Sequence, residues 1–321
     1  MATTPNDQPA LQHLLTLKHL PRAQLIALLD RAQHFVDCGD DRAALAGIAV
    51  CTLFFEPSTR TRLSFQLAAQ RLGADVLNFD ASTSSTRKGE TARDTLKIIE
   101  AMGVRGMVVR HSGDGAIAEL AAAVNPGTRL INAGDGSSDH PTQGLLDMLS
   151  LRQAKGDDFS RLKVLIVGDV KHSRVARSDL HALRTLGSPE SARPGASSME
   201  IRVCAPSSLL PDDDTLAGCT VSHDLDAAIE GVDAVMMLRL QRERMEEGLI
   251  DSVEQYHRDY GLDRRRLQRA AADAVVMHPG PVNRGIEITD EVADGPQSLI
   301  LKQVGNGVPA RMAVLEALLA G

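Results

Sequence analysis

The densest group of side chains that could do chemistry lies in FEPSTRTR, at residues 55–62. This segment follows GIAVCTLFF, an apolar run typical of a buried strand, and leads into TRLSFQLAAQRLG, whose apolar spacing predicts a helix. A helix N-terminus leaves about four backbone N–H groups unpaired and carries roughly half a positive charge. Ser58, Thr59 and Thr61 add hydroxyl donors, and the guanidinium of Arg60 matches the geometry of phosphate oxygens. The segment therefore predicts a phosphate-binding site where a strand meets a helix.

The elements around this segment alternate between strands and helices. The strands DVLNF, GMVVR and TRLINAG follow, with helical patterns between them, and the long helical pattern HPTQGLLDMLSLRQAKG ends this first series. A second series runs from KVLIVGD through SRVARSDLHALRTLG, MEIRVCAP, AVMML and AVVMHPG. This alternation predicts an α/β fold with two domains, each a parallel sheet flanked by helices. We expect the first domain at residues 1–150, with the terminal helix 300–321 packing back on it, and the second domain at residues 151–299.

Two segments outside these series also carry a local prediction. Near the start of the chain, LQHLLTLKHL and PRAQLIALLDRAQHFVD both have apolar residues at a spacing of three to four, which predicts helix. The insert SPESARPGASS is rich in Ser, Pro and Gly, which predicts a surface loop.

Composition excludes several classes of function. The 321 residues carry 35 Lys and Arg against 42 Asp and Glu, a formal charge of −7, and include two Tyr, six Phe and no Trp. An acidic chain with so few aromatic rings lacks what nucleic-acid binding requires. No apolar run approaches the roughly 18 to 20 residues that span a bilayer, and the first ten residues do not resemble a signal peptide. The four cysteines form no C-x-x-C pair, so we expect a cytoplasmic protein with free thiols and neither nucleic-acid nor membrane partners.

The segment FFEPSTRTRLSFQLAAQRLGADV resembles the phosphate-binding segment of the carbamoyltransferases, the aspartate and ornithine transcarbamoylase family. Further motifs of that family follow in its order: KGET at 88–91, VVRHS at 108–112, HPTQ at 140–143, SRVARS at 173–178, RLQRER at 239–244 and MHPGPVNRG at 277–285. The resemblance extends from about residue 47 to the terminal helix. It implies transfer of a carbamoyl group from carbamoyl phosphate to an amine, with no metal, no cofactor and no covalent enzyme intermediate.

The resemblance also implies how carbamoyl phosphate is bound. Residues matching Ser58, Thr59, Arg60 and Thr61 hold the phosphate in the family. The matches to Thr61, Arg110 and His140 contact the carbonyl oxygen, which becomes negative during the reaction and so requires an oxyanion hole. Losing one such donor typically costs about 3 to 4 kcal/mol. The catalytic residues expected from the resemblance are Arg60, Thr61, Arg110 and His140.

Two further contacts with carbamoyl phosphate follow from the same resemblance. Gln143, one helical turn beyond His140, is expected to accept from the carbamoyl NH₂. The backbone carbonyls at Pro279 and Gly280 are expected to accept from the amines of the substrates, which places Gly280 and Pro281 in the carbamoyl phosphate site. Without the accompanying motifs, a lone histidine before a proline would more often be a helix cap, and Pro-Gly-Pro would be a plain turn.

The polar run TSSTRKGET would ordinarily be interpreted as a surface loop. In the family, however, the loop bearing the matches to Ser84 and Lys88 reaches into the active site of the neighbouring subunit. The resemblance therefore implies a homotrimer with shared active sites, in which Lys88 also contacts aspartate. Family members occur with or without a regulatory or dihydroorotase-like partner chain, and the sequence leaves both arrangements open.

The choice of amine depends on arginines in the second domain. Arg174 matches the family residue that binds the α-carboxylate of aspartate, and Arg239 and Gln241 match the pair that binds its side-chain carboxylate. Ornithine would bring an ammonium to the same place, and two positive charges about 4 Å apart repel by roughly 4 kcal/mol at an effective dielectric constant near 20. The ornithine enzymes also carry a cysteine in an H-C-L-P motif, where this chain has His278-Pro279-Gly280-Pro281. Aspartate is therefore the expected substrate.

Three alternatives remain at this point. An ornithine or acylornithine carbamoyltransferase is disfavoured by Arg239 and by the missing cysteine. A dinucleotide-dependent dehydrogenase is suggested by the strand-turn-helix pattern KVLIVGDVKHSR, but Gly168 stands alone where G-x-G-x-x-G would be needed. A non-catalytic homologue would be expected to lose some of the charged residues of the site, and these are present.

Overall fold

The computed structural model describes residues 11–80, 90–187, 199–241 and 252–320. These residues form two parallel β-sheets with helices packed against them. The prediction of an α/β fold with two parallel sheets is confirmed.

The first sheet comes from the N-terminal half of the chain. Its strands are β1 (Ala49–Phe54), β2 (Asp75–Asp80), β3 (Gly106–His111) and β4 (Arg129–Asp135), all parallel and in the order β2-β1-β3-β4. The helices of this half are α1 (Arg22–Cys38), α2 (Thr59–Arg71), α3 (Ala92–Ala101), α4 (Ala116–Ala121) and α5 (Pro141–Lys155). Strands β1 and β3 are buried along almost their whole length, as expected for central strands covered on both faces.

The second sheet is built from the rest of the chain. Its strands are β5 (Lys163–Val167), β6 (Glu200–Cys204), β7 (Thr220–Ser222), β8 (Ala234–Met237) and β9 (Val275–Met277), all parallel and in the order β7-β6-β5-β8-β9. The helices are α6 (Arg174–Leu186), α7 (Leu225–Ala228), α8 (Val253–Tyr260), α9 (Arg264–Leu267), α10 (Asp290–Ala293) and α11 (Ile300–Leu319). The insert SPESARPGASS, expected to be a surface loop, lies wholly outside the described residues.

Helix packing joins the two halves. Helix α5 packs against α6, so the last helix of the first half contacts the first helix of the second half. Helix α11 returns to pack against α1, α2 and α5. These contacts support the proposed assignment of the terminal helix to the first domain.

The predicted helix at the start of the chain is wrong for residues 11–20, which are extended or turn-like. The N–H of Leu14 donates to the carbonyl of Leu130 at 3.0 Å, and the N–H of Asn132 donates to the carbonyl of Leu14 at 2.9 Å. Strand β4 is the edge of its sheet, and this pairing provides hydrogen-bond partners for backbone N–H and C=O groups on its outer side. Leu14, Leu17 and Leu20 are buried, but the sheet edge supplies hydrogen bonds that outweigh a weak local helix preference. The helix begins only at Arg22.

Candidate active site

A cavity of about 540 Å³ lies at the carboxyl ends of both sheets. Its walls come from the segments that follow β1, β3 and β4 in the first sheet and β5, β8 and β9 in the second, together with the start of α11. Ligands of open parallel sheets bind outside these carboxyl ends. The predicted residues that line the cavity are Ser58, Thr59, Arg60, Thr61, Arg110, His140, Gln143, Arg174, Arg239, Gln241, Gly280 and Pro281.

The phosphate segment forms one wall of the cavity. Ser58 is the N-cap of α2 and has an extended backbone, so the unpaired N–H groups of the first helical turn lie at the cavity wall. Thr61 is buried there, while Arg60 lies on the more open side. The hydroxyls, the helix dipole and the guanidinium together make this wall attractive for a phosphate group.

The segment after β9 comes close to the phosphate wall. Gly280 has a φ of +61°, and a Cβ added there would lie 2.2 Å from Nη1 of Arg60. The peptide bond between Gly280 and Pro281 is cis. Glycine at this position therefore lets the backbone approach the Arg60 guanidinium, and a larger residue would displace it.

Two buried arginines, one from each half of the chain, share a single carboxylate. Arg110 is the last residue but one of β3 and Arg174 begins α6, and both are less than a tenth exposed. Arg174 Nη1 donates to Glu56 Oε2 at 3.0 Å, and Arg110 Nε lies 3.3 Å from the same oxygen. Arg174 also donates to the carbonyl of Gly136 at 2.9 Å. This arrangement fixes both guanidiniums at the cavity wall across the boundary between the two halves.

His140 lies beside these arginines at the start of α5. It is the N-cap residue, and its N–H donates to Ser178 Oγ at 2.8 Å, while Ser178 donates to Asp139. Burial, together with the positive charges of Arg174, Arg110 and a further arginine on α11, lowers the pKa of His140 well below its usual value. The imidazole is therefore neutral at physiological pH and can donate one hydrogen bond without adding charge.

The second half of the chain contributes another cation and an amide. Arg239 follows β8 and lines the same cavity as Arg60, and burial together with the charge of Arg239 lowers the pKa of Arg60. Gln241 lies two residues further on, where its Nε2 donates to the carbonyl of His172 at 2.9 Å. Among the described residues that line it, the cavity thus combines several guanidiniums with one carboxylate, Glu56. This charge balance favours small ligands that carry more than one negative charge.

Ser84 and Lys88, expected from a neighbouring subunit, lie outside the described residues. The other predicted site residues are brought to one cavity by the topology, since each motif follows the carboxyl end of a parallel strand. Within the ranges that the structure describes, no group of three or more His, Cys, Asp or Glu side chains is arranged to hold a metal ion. In the same ranges, no helix is both long enough and apolar enough to cross a bilayer.

Sequence reasoning did not assign three charged residues near the cavity. Glu56 lies inside the quoted phosphate motif, yet its bridging contact depends on an arginine 118 residues away. Arg311 is buried in α11, lines the cavity and places its Cζ 5.0 Å from the ring centroid of Phe65. Asp147 is buried in α5 behind Gln143. A charge inside an apolar helical run, as in GLLDMLSL and VPARMAVL, is the sequence signal that could have identified the last two.

Two family models together match almost the whole chain. Residues 12–153 match the carbamoyl-P binding domain of aspartate/ornithine carbamoyltransferase, and residues 160–318 match the Asp/Orn binding domain. The aspartate carbamoyltransferase catalytic subunit of Xanthomonas campestris pv. campestris is 72% identical over 313 residues, which is 96% of each chain. The corresponding subunit of Stenotrophomonas maltophilia is 71% identical over 314 residues, again 96% of each chain.

Solved structures agree with these relatives. Aspartate transcarbamoylase from Trypanosoma cruzi in complex with carbamoyl phosphate is 30% identical, covers 96% of both chains and has a TM-score of 0.84. Ornithine carbamoyltransferase from Thermus thermophilus is 25% identical, covers 97% of this chain and 100% of that one, and has a TM-score of 0.82. The family resemblance found in the sequence is confirmed, and the chain belongs to the aspartate/ornithine carbamoyltransferase family.

Proposed function

We propose that this chain transfers the carbamoyl group of carbamoyl phosphate to the amine of L-aspartate, giving N-carbamoyl-L-aspartate and phosphate. This is an aspartate carbamoyltransferase activity and belongs to pyrimidine biosynthesis. The observation that carries the proposal is that Arg174 and Arg239 line the same cavity as the phosphate segment. The 71–72% identical relatives named as aspartate carbamoyltransferase catalytic subunits support the same activity.

The first step of the proposed mechanism is the binding of carbamoyl phosphate. The start of α2, with Ser58, Thr59, Arg60 and Thr61, would hold the phosphate. Backbone N–H groups and a guanidinium suit a phosphate dianion, because both are donors with fixed directions. The carbamoyl group would then lie over the buried part of the cavity, within reach of the groups that face its carbonyl oxygen.

The second step is attack by the amine. The neutral amine of aspartate forms a C–N bond to the carbamoyl carbon, and the carbonyl oxygen becomes negative. Thr61, Arg110 and neutral His140 would stabilise that oxygen with hydrogen bonds and positive charge. The C–O bond to phosphate then breaks, and the leaving phosphate takes the proton lost by the amine. The chain supplies positioning and fixed charge, while the substrate supplies the base.

Selection of aspartate depends on charge. In the proposed complex Arg174 binds the α-carboxylate, and Arg239 and Gln241 bind the side-chain carboxylate. Arg239 lies close enough to Arg60 for its charge to lower the pKa of Arg60. An ornithine ammonium beside Arg239 would meet a repulsion of roughly 4 kcal/mol, which corresponds to about three orders of magnitude in affinity.

The proposed activity is tested by mixing the protein with carbamoyl phosphate and either aspartate or ornithine and assaying the carbamoylated product. We expect product with aspartate, and a loss of at least about a hundred-fold in rate for Arg60→Ala, which removes a charged phosphate contact. Product formed in the presence of Arg60→Ala also serves as the control for the uncatalysed reaction of carbamoyl phosphate with the amine. A product that forms only with ornithine would overturn the choice of substrate.

We also propose that the active enzyme is a cytoplasmic homotrimer in which Ser84 and Lys88 of one subunit complete the cavity of the next. Support comes from the family resemblance of the segment TSSTRKGET. A regulatory or dihydroorotase-like partner chain is compatible with this assembly. The test is to exchange subunits between two inactive trimers, Lys88→Ala and Arg60→Ala. Mixed trimers should regain activity, because some cavities then combine a native Arg60 from one subunit with a native Lys88 from its neighbour. Confirmed exchange without activity would refute shared sites.

A further inference from the structure

A buried carboxylate lies directly behind the cavity and binds two glutamine amides. Asp147 of α5 accepts from Gln143 Nε2 at 3.0 Å on Oδ1 and 3.2 Å on Oδ2. It also accepts from Gln303 Nε2 of α11 at 2.7 Å. Asp147 and Gln303 are 1% and 2% exposed, so water does not compete for these contacts. Gln143 and Gln303 both line the cavity, whereas Asp147 lies behind them.

The chemistry of this contact determines how each amide is turned. An ionised carboxylate only accepts hydrogen bonds, so it must face the NH₂ of each glutamine and never the carbonyl. Both amide oxygens are therefore directed away from Asp147. Gln303 Oε1 accepts from the N–H of His278 at 2.9 Å, at the start of the His-Pro-Gly-Pro segment. Gln143 Oε1 remains as the amide atom that presents an acceptor to the cavity.

A second buried acid supports the ionised state of Asp147. Asp179 of α6 is 2% exposed and its side chain hydrogen-bonds Asp147, which requires one of the two acids to carry a proton. Burial and the neighbouring Asp147 carboxylate raise the pKa of Asp179 well above its usual range. Burial raises the pKa of Asp147 to about 7, while hydrogen bonds from Gln303, Gln143 and Asp179 and the charge of Arg311 act in the opposite direction and stabilise its negative form. The proton therefore resides on Asp179, which donates to Asp147.

We propose that Asp147, with Asp179 as its donor, is a positioning residue that holds the Gln143 amide with its oxygen toward the cavity, and thereby selects an NH₂ group on the carbonyl carbon of the phosphorylated substrate. The inference rests on the proposed function, because it takes carbamoyl phosphate as the ligand. It goes further by assigning the recognition of the NH₂ to a network that joins α5, α6 and α11. A substrate analogue with a methyl group in place of the NH₂ offers no donor to Gln143 and should bind less well.

The test compares two phosphonates that differ only at this group. Phosphonoacetamide carries the NH₂ and acetonylphosphonate carries a methyl, and neither reacts, so the measurement does not depend on turnover. Titration calorimetry should show that the wild-type protein binds the amide about ten-fold more tightly, the size of one buried hydrogen bond. Asp147→Leu, which removes the acceptors, should reduce this preference to less than two-fold.

Two further variants separate positioning from general stability. Asp147→Asn keeps one oxygen for the glutamines and can donate to Asp179 through its amide, so it should retain most of the preference. Ser150→Ala removes another buried polar group of α5 that contacts α11, through Asn306 at 2.9 Å. This control should lower the melting temperature and leave the ten-fold preference intact.

The outcomes distinguish the two proposals. If Asp147→Leu binds both phosphonates more weakly but keeps the ten-fold preference, Asp147 has only a structural role and the inference is wrong. If wild-type protein shows the preference but forms no N-carbamoyl-aspartate, the proposed function fails while the positioning role stands. Asp147→Leu leaves Asp179 buried without its hydrogen-bond partner, and the variant could fail to fold for that reason. In that case the double variant Asp147→Leu/Asp179→Leu is used, because replacing both members of a buried polar pair with apolar groups is often tolerated. The same loss of preference is expected there.

Discussion

Replacing Gly134 by alanine should displace two cavity arginines at once. Gly134 lies in β4 with a φ of +129°, and a Cβ added there would be 2.9 Å from Cζ of Arg174 and 3.0 Å from Nη1 of Arg110. Ordinary contacts begin at 3.4 Å, so each guanidinium must retreat by about half an ångström or the strand must shift. Misplacing groups that act on the reacting atoms by about 1 Å can cost roughly a hundred-fold in rate. We expect kcat/KM for carbamoyl phosphate to fall by about 30- to 100-fold.

Backbone strain accompanies this clash and must be separated from it. A non-glycine residue at such a φ costs about 1 to 3 kcal/mol of stability. Gly103, which follows α3, has a φ of +87° and open space around its added Cβ, so Gly103→Ala carries strain without displacing an arginine. Steady-state kinetics and urea unfolding of both variants should show lower stability in each, but lower kcat/KM only in Gly134→Ala. Gly134→Ala with kcat/KM within three-fold of wild type would refute the argument that this glycine makes room for the arginines.

Two further predictions concern charge in the cavity. Glu56→Gln leaves Arg110 and Arg174 without their shared carboxylate, so the free energy of unfolding without ligand should fall by about 2 kcal/mol. This loss is smaller than for a fully buried ion pair, because the Glu56 side chain is 20% exposed. Saturating phosphate should reduce the difference in melting temperature between wild type and Glu56→Gln. A Glu56→Gln variant that melts at the wild-type temperature without ligand would contradict the bridging role. The pKa of His140 is lowered in the folded protein and is near the ordinary value of 6.5 in the unfolded chain. Below about pH 6.5 the unfolded chain therefore binds a proton that the folded protein does not, and the free energy of unfolding falls. Between pH 7.5 and 5.5 this residue should account for about 1.4 kcal/mol, measured as the difference between wild type and His140→Gln in urea unfolding.

Most of the site could be predicted because its motifs follow strands. In a parallel sheet every strand ends at the same edge, so Arg60, Arg110 and His140 come together once their strands are identified. The same rule brings Arg174 and Arg239 together in the second sheet. Family resemblance added the chemical roles, which spacing alone does not contain.

The features that sequence reasoning missed depend on partners far away in the chain. Residues 11–20 have helical spacing, but the edge of β4 binds their backbone, and no local pattern reveals that edge. Glu56 contacts Arg174 across 118 residues, and Gln303 contacts Asp147 across 156. Side-chain hydrogen bonds of this kind are fixed by how segments far apart in the sequence pack together, which a one-dimensional pattern does not specify.

The charge balance of the cavity favours the neutral side chains of His140 and Gln143. Several arginines already face this space, so another cation in place of His140 would add repulsion in a buried setting. Neutral imidazole supplies a donor without charge, as its lowered pKa requires. A glutamate in place of Gln143 would face the carboxylate of Asp147 and, in the proposed complex, repel the phosphate. The amide instead satisfies Asp147 with its NH₂, and its oxygen is left for the proposed substrate. In the proposed complex, charge at this site therefore selects anions, while the directions of the hydrogen bonds made by His140 and Gln143 select the carbamoyl group among them.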